Sequence, residues 1–347
     1  MTGRVGISDV AAAAGVSIAT VSVALNDVEG ARVSAQTRDR VRAVAQRLGY
    51  VPNRLAQGLR RQRSGIIGFI GDRVATTPYA VRMILGAQEA FLEADQLMVL
   101  METEGDPQLE ARQITALRQH QVAGIVYAAM YHREVDALPE ALWTVPTVLL
   151  DVRLNDPTVS WVVPDEVAGA REAVGELLTH GHRRIGFVTN ENDIPATRLR
   201  LRGYRAALKR AGVEVDSTLV SAGPPTADGG YRAARHLLDR RDRPTGLYCF
   251  NDLMAMGAYH AAGEAGLRIP RDLSVVGHDN MHPVVTGLVP GLTTVQLPHY
   301  EMGGWAARQL LALTGTAPGR AKQARLRAPL IRRGSVTSPP DLDLPAG

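Results

Sequence analysis

The sequence predicts an α/β protein in two parts, an N-terminal all-α helix-turn-helix head and a two-lobed body of parallel sheets. Three observations predict it. The first fifty residues break into short helical periods with no strand pattern. From Ser64 onward, short aliphatic runs alternate with amphipathic stretches, as parallel strands covered on both faces do. Two such series follow one another, which requires two lobes.

Residues 7–26, ISDVAAAAGVSIATVSVALN, read as two short helices about a sharp corner. Ser8 is a candidate N-cap, because its oxygen can accept from a free amide of the first turn. Asp9 to Ala14 is alanine-rich and strongly helical. Gly15 supplies the left-handed backbone of the corner, and Ser17 caps a second helix that runs to about Asn26. Val21, Ala24 and Leu25 then share one face and can close a small core. Ile18, Ala19, Ser22 and Val23 are left pointing outward. Aliphatic side chains there suit an apolar partner such as the thymine methyls of a DNA major groove, where helix-turn-helix units place their second helix. A small helical hairpin with a loosely packed surface has the same spacing. A third helix runs from a Ser34 cap to about Leu48 with Val41, Val44, Ala45 and Leu48 as its stripe, and Gly49 ends it. Asn53 can cap one more segment, NRLAQGLRRQ. It is shorter than the roughly 12–15 residues at which an isolated helix becomes marginally stable, so residues 53–63 read as a linker that orders only when held.

Composition bounds the rest. A chain of 347 residues can bury two or three substantial cores. Cys249 is its single cysteine, so no internal disulfide forms, which fits a reducing cytoplasm. No apolar run follows basic residues at the N-terminus, and none approaches the roughly 20 residues of a membrane span. The expectation is a cytoplasmic, nucleoid-associated protein with no membrane partner. Residues 1–63 hold ten arginines against Asp9, Asp27, Glu29 and Asp39, a surplus of six, whereas the whole chain carries only +4. A basic head on a slightly acidic body points to a polyanion-binding module attached to something else.

In the body the strand candidates are residues 66–71, 97–102, 123–129, 147–151, 161–165, 184–190, 246–251 and 273–279. Helices are expected at Tyr79–Ala94, Gln108–Gln119, Glu166–Thr179, Leu199–Ala211 and Asp252–Ala265. In open α/β sheets ligands bind outside the carboxyl ends of strands. Asp151, Asn251, Asp252 and Asp279 stand at such ends, and Arg200 is expected at the start of a helix just after RIGFVTN. An arginine among carboxylates and an amide suits a polyol, since the guanidinium donates to neighbouring hydroxyls while the carboxylates accept. Plainer roles compete: Asp252 as a helix cap, Asp279 as a turn residue, Arg198 and Arg202 as surface or interlobe pairs. His180 and His182 are most simply a helix cap and the lead into a strand. Those two, with His278, His282 and His299, lack a zinc framework, and Cys249 sits in an apolar strand. No GxSxG, HExxH, P-loop or GxGxxG stands where catalysis or a dinucleotide would need it. Neither catalytic residues, metal nor cofactor is expected. A solute-binding protein for uptake is the rival class, and the basic head together with the lack of a signal peptide argues against it. The tail 337–347, proline-rich and acidic, reads as disordered and lacks the leucine heptads of a tetramerising helix.

The ordered runs VAAAAGVSIATVSVALN, VSAQTRDRVRAVAQRLGY and PNRLAQGLRRQRSGIIGFI resemble the LacI/GalR family of bacterial transcription factors, and the resemblance extends to about residue 335. It implies a helix-turn-helix domain over 1–52, a hinge helix over 53–63 and a periplasmic-binding-protein-like (type I) body over 64–336. Lobe 1 would be about 64–162 plus 292–327 and lobe 2 about 163–291 plus 328–336. It also implies a homodimer on a palindromic double-stranded DNA operator, with Tyr79–Phe91 and the Asp252–Ala265 helix as interface surfaces, and a carbohydrate-type small-molecule effector between the lobes. Positions matching Ile18, Ala19 and Val23 meet base edges in the family. Those matching Ser17, Thr20, Ser22, Asn26, Ser34 and Thr37 mostly touch phosphates. The hinge enters the minor groove, with Leu59 as a wedge and Asn53, Arg54 and Ala56 alongside. All three reading positions are apolar here, where polar or basic residues are common, so readout should lean on methyl contacts and shape. For the effector the resemblance implies Arg200, Asn251 and Asp279, with Tyr79, Asp151, Asp165 and His299 added. The implied switch is repression relieved by effector, though in some relatives the ligand promotes DNA binding.

Overall fold

The computed structural model describes residues 5–25, 33–50, 65–315, 317 and 319–340. It divides into two compact units, Met1–Gly65 and Ile66–Gly347. Asn26, Asn53, Arg54, Ala56 and Leu59, and with them the expected hinge, lie outside the described residues.

The head contains α1 (Ile7–Ala14), α2 (Ile18–Leu25) and α3 (Ala35–Arg47). Gly15 is left-handed at φ 65°, and α1 and α2 bend by 101° about it, within the range of helix-turn-helix pairs. Val10, Ala11, Ala14, Val21, Ala24, Val41, Val44 and Ala45 form one buried core. Ser34 caps α3 as expected, its Oγ accepting from Thr37 N–H at 3.2 Å. Ser8 does not cap α1. It lies inside the first turn, Gly6 takes the cap position, and the Asp9 carboxylate accepts from Gly6 N–H at 2.8 Å. That contact is the return half of a capping box, and it needs an acidic side chain at the third helical position.

The body is built on two six-stranded sheets. Sheet one has the order β11-β5-β4-β3-β1-β2 and is parallel throughout. Its strands are β1 (Ile66–Asp72), β2 (Leu97–Glu102), β3 (Gly124–Val135), β4 (Thr147–Leu154), β5 (Ser160–Pro164) and β11 (Gln323–Leu326). Sheet two runs β12-β10-β9-β8-β6-β7. It comprises β6 (Ile185–Asn190), β7 (Val220–Gly223), β8 (Gly246–Cys249), β9 (Ser274–Asp279), β10 (Thr293–Gln296) and β12 (Leu330–Ile331), with only β12 antiparallel. Alternate strand residues face opposite ways. Ile67, Phe69, Val126 and Val148 join one core of sheet one, and Ile70, Ile125, Tyr127 and Leu149 join the other. Burial on both faces is why these strands are continuously apolar.

On sheet one lie α4 (Arg82–Glu93), α5 (Pro107–Gln119) and α11 (His299–Thr314). Sheet two carries α6 (Glu166–Thr179), α7 (Pro195–Arg210), α8 (Ala227–Leu238), α9 (Asp252–Glu264) and the short α10 (His282–Gly287). Helix α4 begins at Arg82 and leaves Tyr79 in the turn before it; α7 begins at Pro195 rather than Leu199, so Arg200 sits within the helix, not at its start. Strands β7, β10, β11 and β12 and helices α8, α10 and α11 were not expected. The four strands are no longer than four residues, too short to show a period, and α8 opens on Ala-Asp-Gly-Gly. Its Gly230 has a packing reason: a Cβ there would stand 2.3 Å from the Met254 carbonyl oxygen of α9.

The chain crosses between lobes three times: after Pro164, after Gln296 and after Leu326. The second crossing corrects the expected lobe boundary at 292, because β10 pairs with β9 in sheet two. The crossings are tied together, Asp165 N–H donating to the Leu326 carbonyl and Gln296 N–H to the Pro329 carbonyl, each at 2.8 Å. The body also holds more of the C-terminus than expected. Thr337 accepts from buried His182 at 2.9 Å and donates its N–H to Ser274 Oγ at 3.1 Å.

Candidate effector cleft and nucleic-acid surface

Between the lobes lies a cavity of about 430 Å³, a size suited to a small ligand. Strand ends, and the break in register between β3 and β4 that holds His132 and Asp151, supply its walls, because side chains there are free to turn inward. From lobe 1 come Tyr79, His132 and Asp151, and just after the second crossing of the chain His299; lobe 2 supplies Glu166, Arg200, Asn251 and Asp279. The two aspartates hold left-handed backbone, Asp151 at φ 58° and Asp279 at φ 105°, the kind of strain that clusters at binding sites.

Arg200 is the centre of the lobe 2 wall. Its Nε donates to Glu166 Oε2 at 2.7 Å and its Nη2 to Oε1 at 3.2 Å. Nη1 donates to the Phe250 carbonyl and stands 3.6 Å from Asp279 Oδ1. The guanidinium lies over the Phe250 ring, 4.4 Å from its centroid. Both members of the Arg200–Glu166 pair are buried, with side chains 4% and 2% exposed. Burial alone would push the Glu166 carboxyl up, but Arg200 and His278 overcome it and hold it well below the usual carboxylate range. The same burial works against Arg200, and Glu166 and Asp279 keep it firmly charged. Asp151 and Asp279 go the other way. Burial, with the repulsion of neighbouring carboxylates, pushes both well above the ordinary range despite the pull of Arg200.

The remaining wall groups have settled roles. Asn251 Oδ1 caps α9 by accepting from Met254 N–H at 2.8 Å, and its Nδ2 donates to the Pro225 carbonyl at 3.1 Å. His299 donates its Nδ1–H to the Tyr79 carbonyl at 2.6 Å and stacks on the Tyr79 ring at 6.1 Å; that bond leaves Nε2 as the acceptor. Burial lowers His299 to about 4. His132 is 3% exposed, and neither ring nitrogen has a partner among the described residues; Asp151 Oδ1 is likewise buried without one. Buried polar atoms of this kind are where a ligand hydroxyl is wanted.

Asp165 and Asp252 need correction. Asp165 caps α6, its carboxylate accepting from Ala168 N–H at 3.0 Å, and the neighbouring Glu166 is the side chain that reaches the cleft. Asp252 neither caps α9 nor lines the cleft. Fully buried, it accepts from Thr294 Oγ1–H at 2.6 Å and Met281 N–H at 2.7 Å. It thereby ties the turn after Asp279 to β10. Arg198 does pair across the lobes, at 3.7 Å from Glu134, besides its 2.8 Å bridge to Asp193. Among the described residues no group of three or more His, Cys, Asp or Glu is placed to hold a metal ion.

On the head, Ile18 is 47% exposed and Ala19 is exposed, while Thr20, Ser22 and Val23 are half-buried on α2. Ser17 Oγ accepts from Thr20 N–H at 3.1 Å, and Ser17 and Thr20 hydroxyls meet at 2.9 Å. Ser34 and Thr37 repeat the arrangement on α3. An isoleucine held in water at the start of a second helix has no reason in the head's own core.

Comparison with known proteins decides what these two surfaces belong to. Residues 6–53 match the model of the bacterial regulatory proteins of the lacI family, and residues 174–336 match a periplasmic binding protein-like domain. The ribose operon repressor of Escherichia coli K12 is 32% identical over 331 residues, covering 95% of this chain and 99% of the relative. The chain belongs to the LacI family. Among solved structures, a CelR–cellobiose complex is 32% identical with a TM-score of 0.68, covering 96% of this chain and all of that one. A lac repressor dimer bound to operator and the anti-inducer ONPF is 26% identical with a TM-score of 0.80, over 97% of this chain and all of that one. As a LacI-family member this chain is a DNA-binding transcriptional regulator. Among its described residues no single helix is long and apolar enough to cross a membrane.

Sequence reasoning missed Glu166 and His132 in this LacI-family cleft. Glu166 follows the cap Asp165 directly, and one residue of helix start decides which acid turns inward. His132 lies where the β3–β4 register breaks between Ala128 and Arg133, a bulge that no alternation of side chains announces.

Proposed function

We propose that this LacI-family regulator is a cytoplasmic, nucleoid-associated repressor that binds a palindromic operator as a homodimer and changes its affinity when a carbohydrate or carbohydrate derivative fills the interlobe cleft. The observation that carries the reading is the set of buried side chains of Arg200, Glu166, Asp151 and Asp279 around a cavity of about 430 Å³, attached to a head whose second helix exposes Ile18 and Ala19. Asp151, Asp279 and the orphaned His132 can read hydroxyls from both lobes, so a polyol spanning the cleft favours one lobe arrangement over another. Tyr79 and His299 offer flat faces to a sugar ring. Asn251 and Arg200 hold the lobe 2 wall in shape. The relatives are regulators, and the cleft is read as a binding site without catalysis.

On DNA, Ile18, Ala19 and Val23 read base edges, while Ser17, Thr20, Ser22, Ser34 and Thr37 meet phosphates. Asn26, Asn53, Arg54, Ala56 and Leu59, outside the described residues, complete the surface, and residues 53–63 couple it to the body. The E. coli relative named for ribose and the CelR complex with cellobiose support a sugar-type effector; the lac repressor dimer on operator supports the palindrome.

The test is selection of genomic fragments by the purified protein with and without a panel of sugars. One palindromic sequence should be enriched, and one sugar should change its recovery. Leu59→Ala should abolish specific binding and leave salt-sensitive binding to random DNA. No enrichment over random fragments under any condition refutes the reading.

A further inference from the structure

The geometry points to Glu166 as a charge filter: it pairs with Arg200, the one buried cation of the cleft among the described residues, so the effector is uncharged where it meets Arg200. This rests on the polyol reading of the same site and narrows it to neutral sugars, excluding sugar phosphates and sugar acids. An arginine at the floor of a ligand cavity is ordinarily an anion receptor, because its planar fork fits a phosphate or carboxylate in two parallel hydrogen bonds. Here the Nε–Nη2 side of that fork, and the charge with it, is taken by Glu166. Nε and Nη2 are both donated to Glu166 and Nη1 to the Phe250 carbonyl, with Asp279 Oδ1 3.6 Å away. A phosphate entering the cavity would find three of the five guanidinium N–H groups already donated, the positive charge paired with Glu166, and three carboxyl groups, on Glu166, Asp151 and Asp279, around it.

The other basic groups in the wall do not replace it. His132 and His299 are buried imidazoles that burial keeps neutral. Arg73 is at the rim, 52% exposed, and pairs with Glu104 at 3.9 Å, its Nη2 donating to the Glu104 carbonyl at 3.3 Å. Seating an anion would therefore mean burying a negative charge beside carboxyls with no unpaired counter-ion, which proteins avoid. A hydroxyl faces no such barrier. It can donate to Asp151 Oδ1, which has no partner, and either donate to or accept from His132.

The filter is tested with inorganic phosphate as probe. Thermal unfolding of the full-length protein is followed in phosphate and in chloride of matched ionic strength, for wild type, Glu166→Gln and the double variant Glu166→Gln/Arg200→Met. Glutamine keeps the shape and removes the counter-charge from the guanidinium, so Glu166→Gln should gain a saturable phosphate stabilisation. The double variant and the wild type should share the smaller response that an arginine-rich head gives to any anion. A phosphate response of Glu166→Gln no larger than that of wild type overturns the inference. So does a wild-type protein stabilised through Arg200 by D-ribose 5-phosphate, D-glucose 6-phosphate or D-glucuronate, a measurement that stands even where Glu166→Gln does not fold. Where an uncharged sugar binds the wild type, its phosphorylated or oxidised counterpart should bind about a hundredfold more weakly; equal binding sinks the filter and leaves the sugar reading standing. If no uncharged sugar binds while Glu166→Gln still gains phosphate, the sugar reading fails and the filter survives.

Discussion

Replacing Arg200 by methionine keeps an unbranched apolar stem and removes the charged head. Glu166, 2% exposed, is then left with His278 at 3.5 Å, an imidazole that burial and the nearby guanidinium hold at about 4. Breaking a buried pair by deleting one partner costs on the order of 3–5 kcal/mol, because the survivor is an uncompensated charge. Replacing both partners, as in Glu166→Leu/Arg200→Met, removes the uncompensated charge and should be close to neutral, within about 1 kcal/mol of wild type. The pH dependence has a definite sign. In the wild type the Glu166 pKa is depressed, so its stabilisation is present at neutral pH and drains away as pH falls below the unfolded value of about 4.3. In the single variant burial raises the same carboxyl, so the penalty is full at neutral pH and fades as pH falls towards about 4. The stability gap between wild type and Arg200→Met should therefore be widest near pH 7 and shrink towards acid. Urea unfolding of ligand-free protein, followed by circular dichroism from pH 4 to 8, measures it. A gap under about 1 kcal/mol at pH 7, or one that widens towards acid, refutes the reasoning.

Burial pushes the Asp252 carboxyl up to about 7, although Thr294 and Met281 donate to it. Protonation in the folded state then favours folding at acid pH, and the benefit is lost between about pH 4 and 7. Asp252→Asn should remove that slope, so its stability relative to wild type should rise over the same interval; a flat difference in urea midpoints would refute this. Gly15→Ala forces a Cβ into left-handed backbone at φ 65° and should cost about 1 kcal/mol, read as a lower melting point of the head and weaker operator retention. Val21→Ala, in the fully buried head core, should cost on the order of 2 kcal/mol and reduce DNA binding while leaving sugar-induced stabilisation of the body intact. Ile18→Asp places a carboxylate on the exposed start of α2 and should abolish operator retention without unfolding the head; retained binding in a filter assay would remove Ile18 from the DNA surface.

Much of this architecture was legible because it follows from periodicity. Strand Ile66–Asp72 and the first half of Thr147–Leu154 are buried on both faces and so read as near-continuous apolar runs, and Ser34, Gly15 and Gly49 stood where caps and corners need them. The cleft was partly legible for the same reason: polar residues that close aliphatic runs, Asp151, Asn251 and Asp279, sit on its wall, although β4 continues past Asp151 to Leu154. What stayed hidden depends on tertiary context. The edge strands β11 and β12 are too short to carry a period. Asp165 and Glu166 are adjacent acids, and only the helix phase sends one to the cap and the other to Arg200. Asp252 looked like a cap because it precedes a helix, yet its partners, Thr294 and Met281, come from distant parts of the chain. Arg200 was expected to offer its fork to a ligand, and nothing local in the sequence pairs it with Glu166.

Each sheet borrows its outermost strand from the last stretch of the chain, β11 closing one edge and β12 the other, after the backbone has already passed back and forth. Neither half is therefore a single cassette. A hybrid made by one cut near Pro164 would carry a foreign edge strand on its first sheet, and a fragment ending before Gln323 would expose the β5 ladder to other chains. Grafting a new ligand preference from a relative requires exchanging the interior segment together with its matching piece of the C-terminal region, and libraries shuffled at one junction should be dominated by insoluble products.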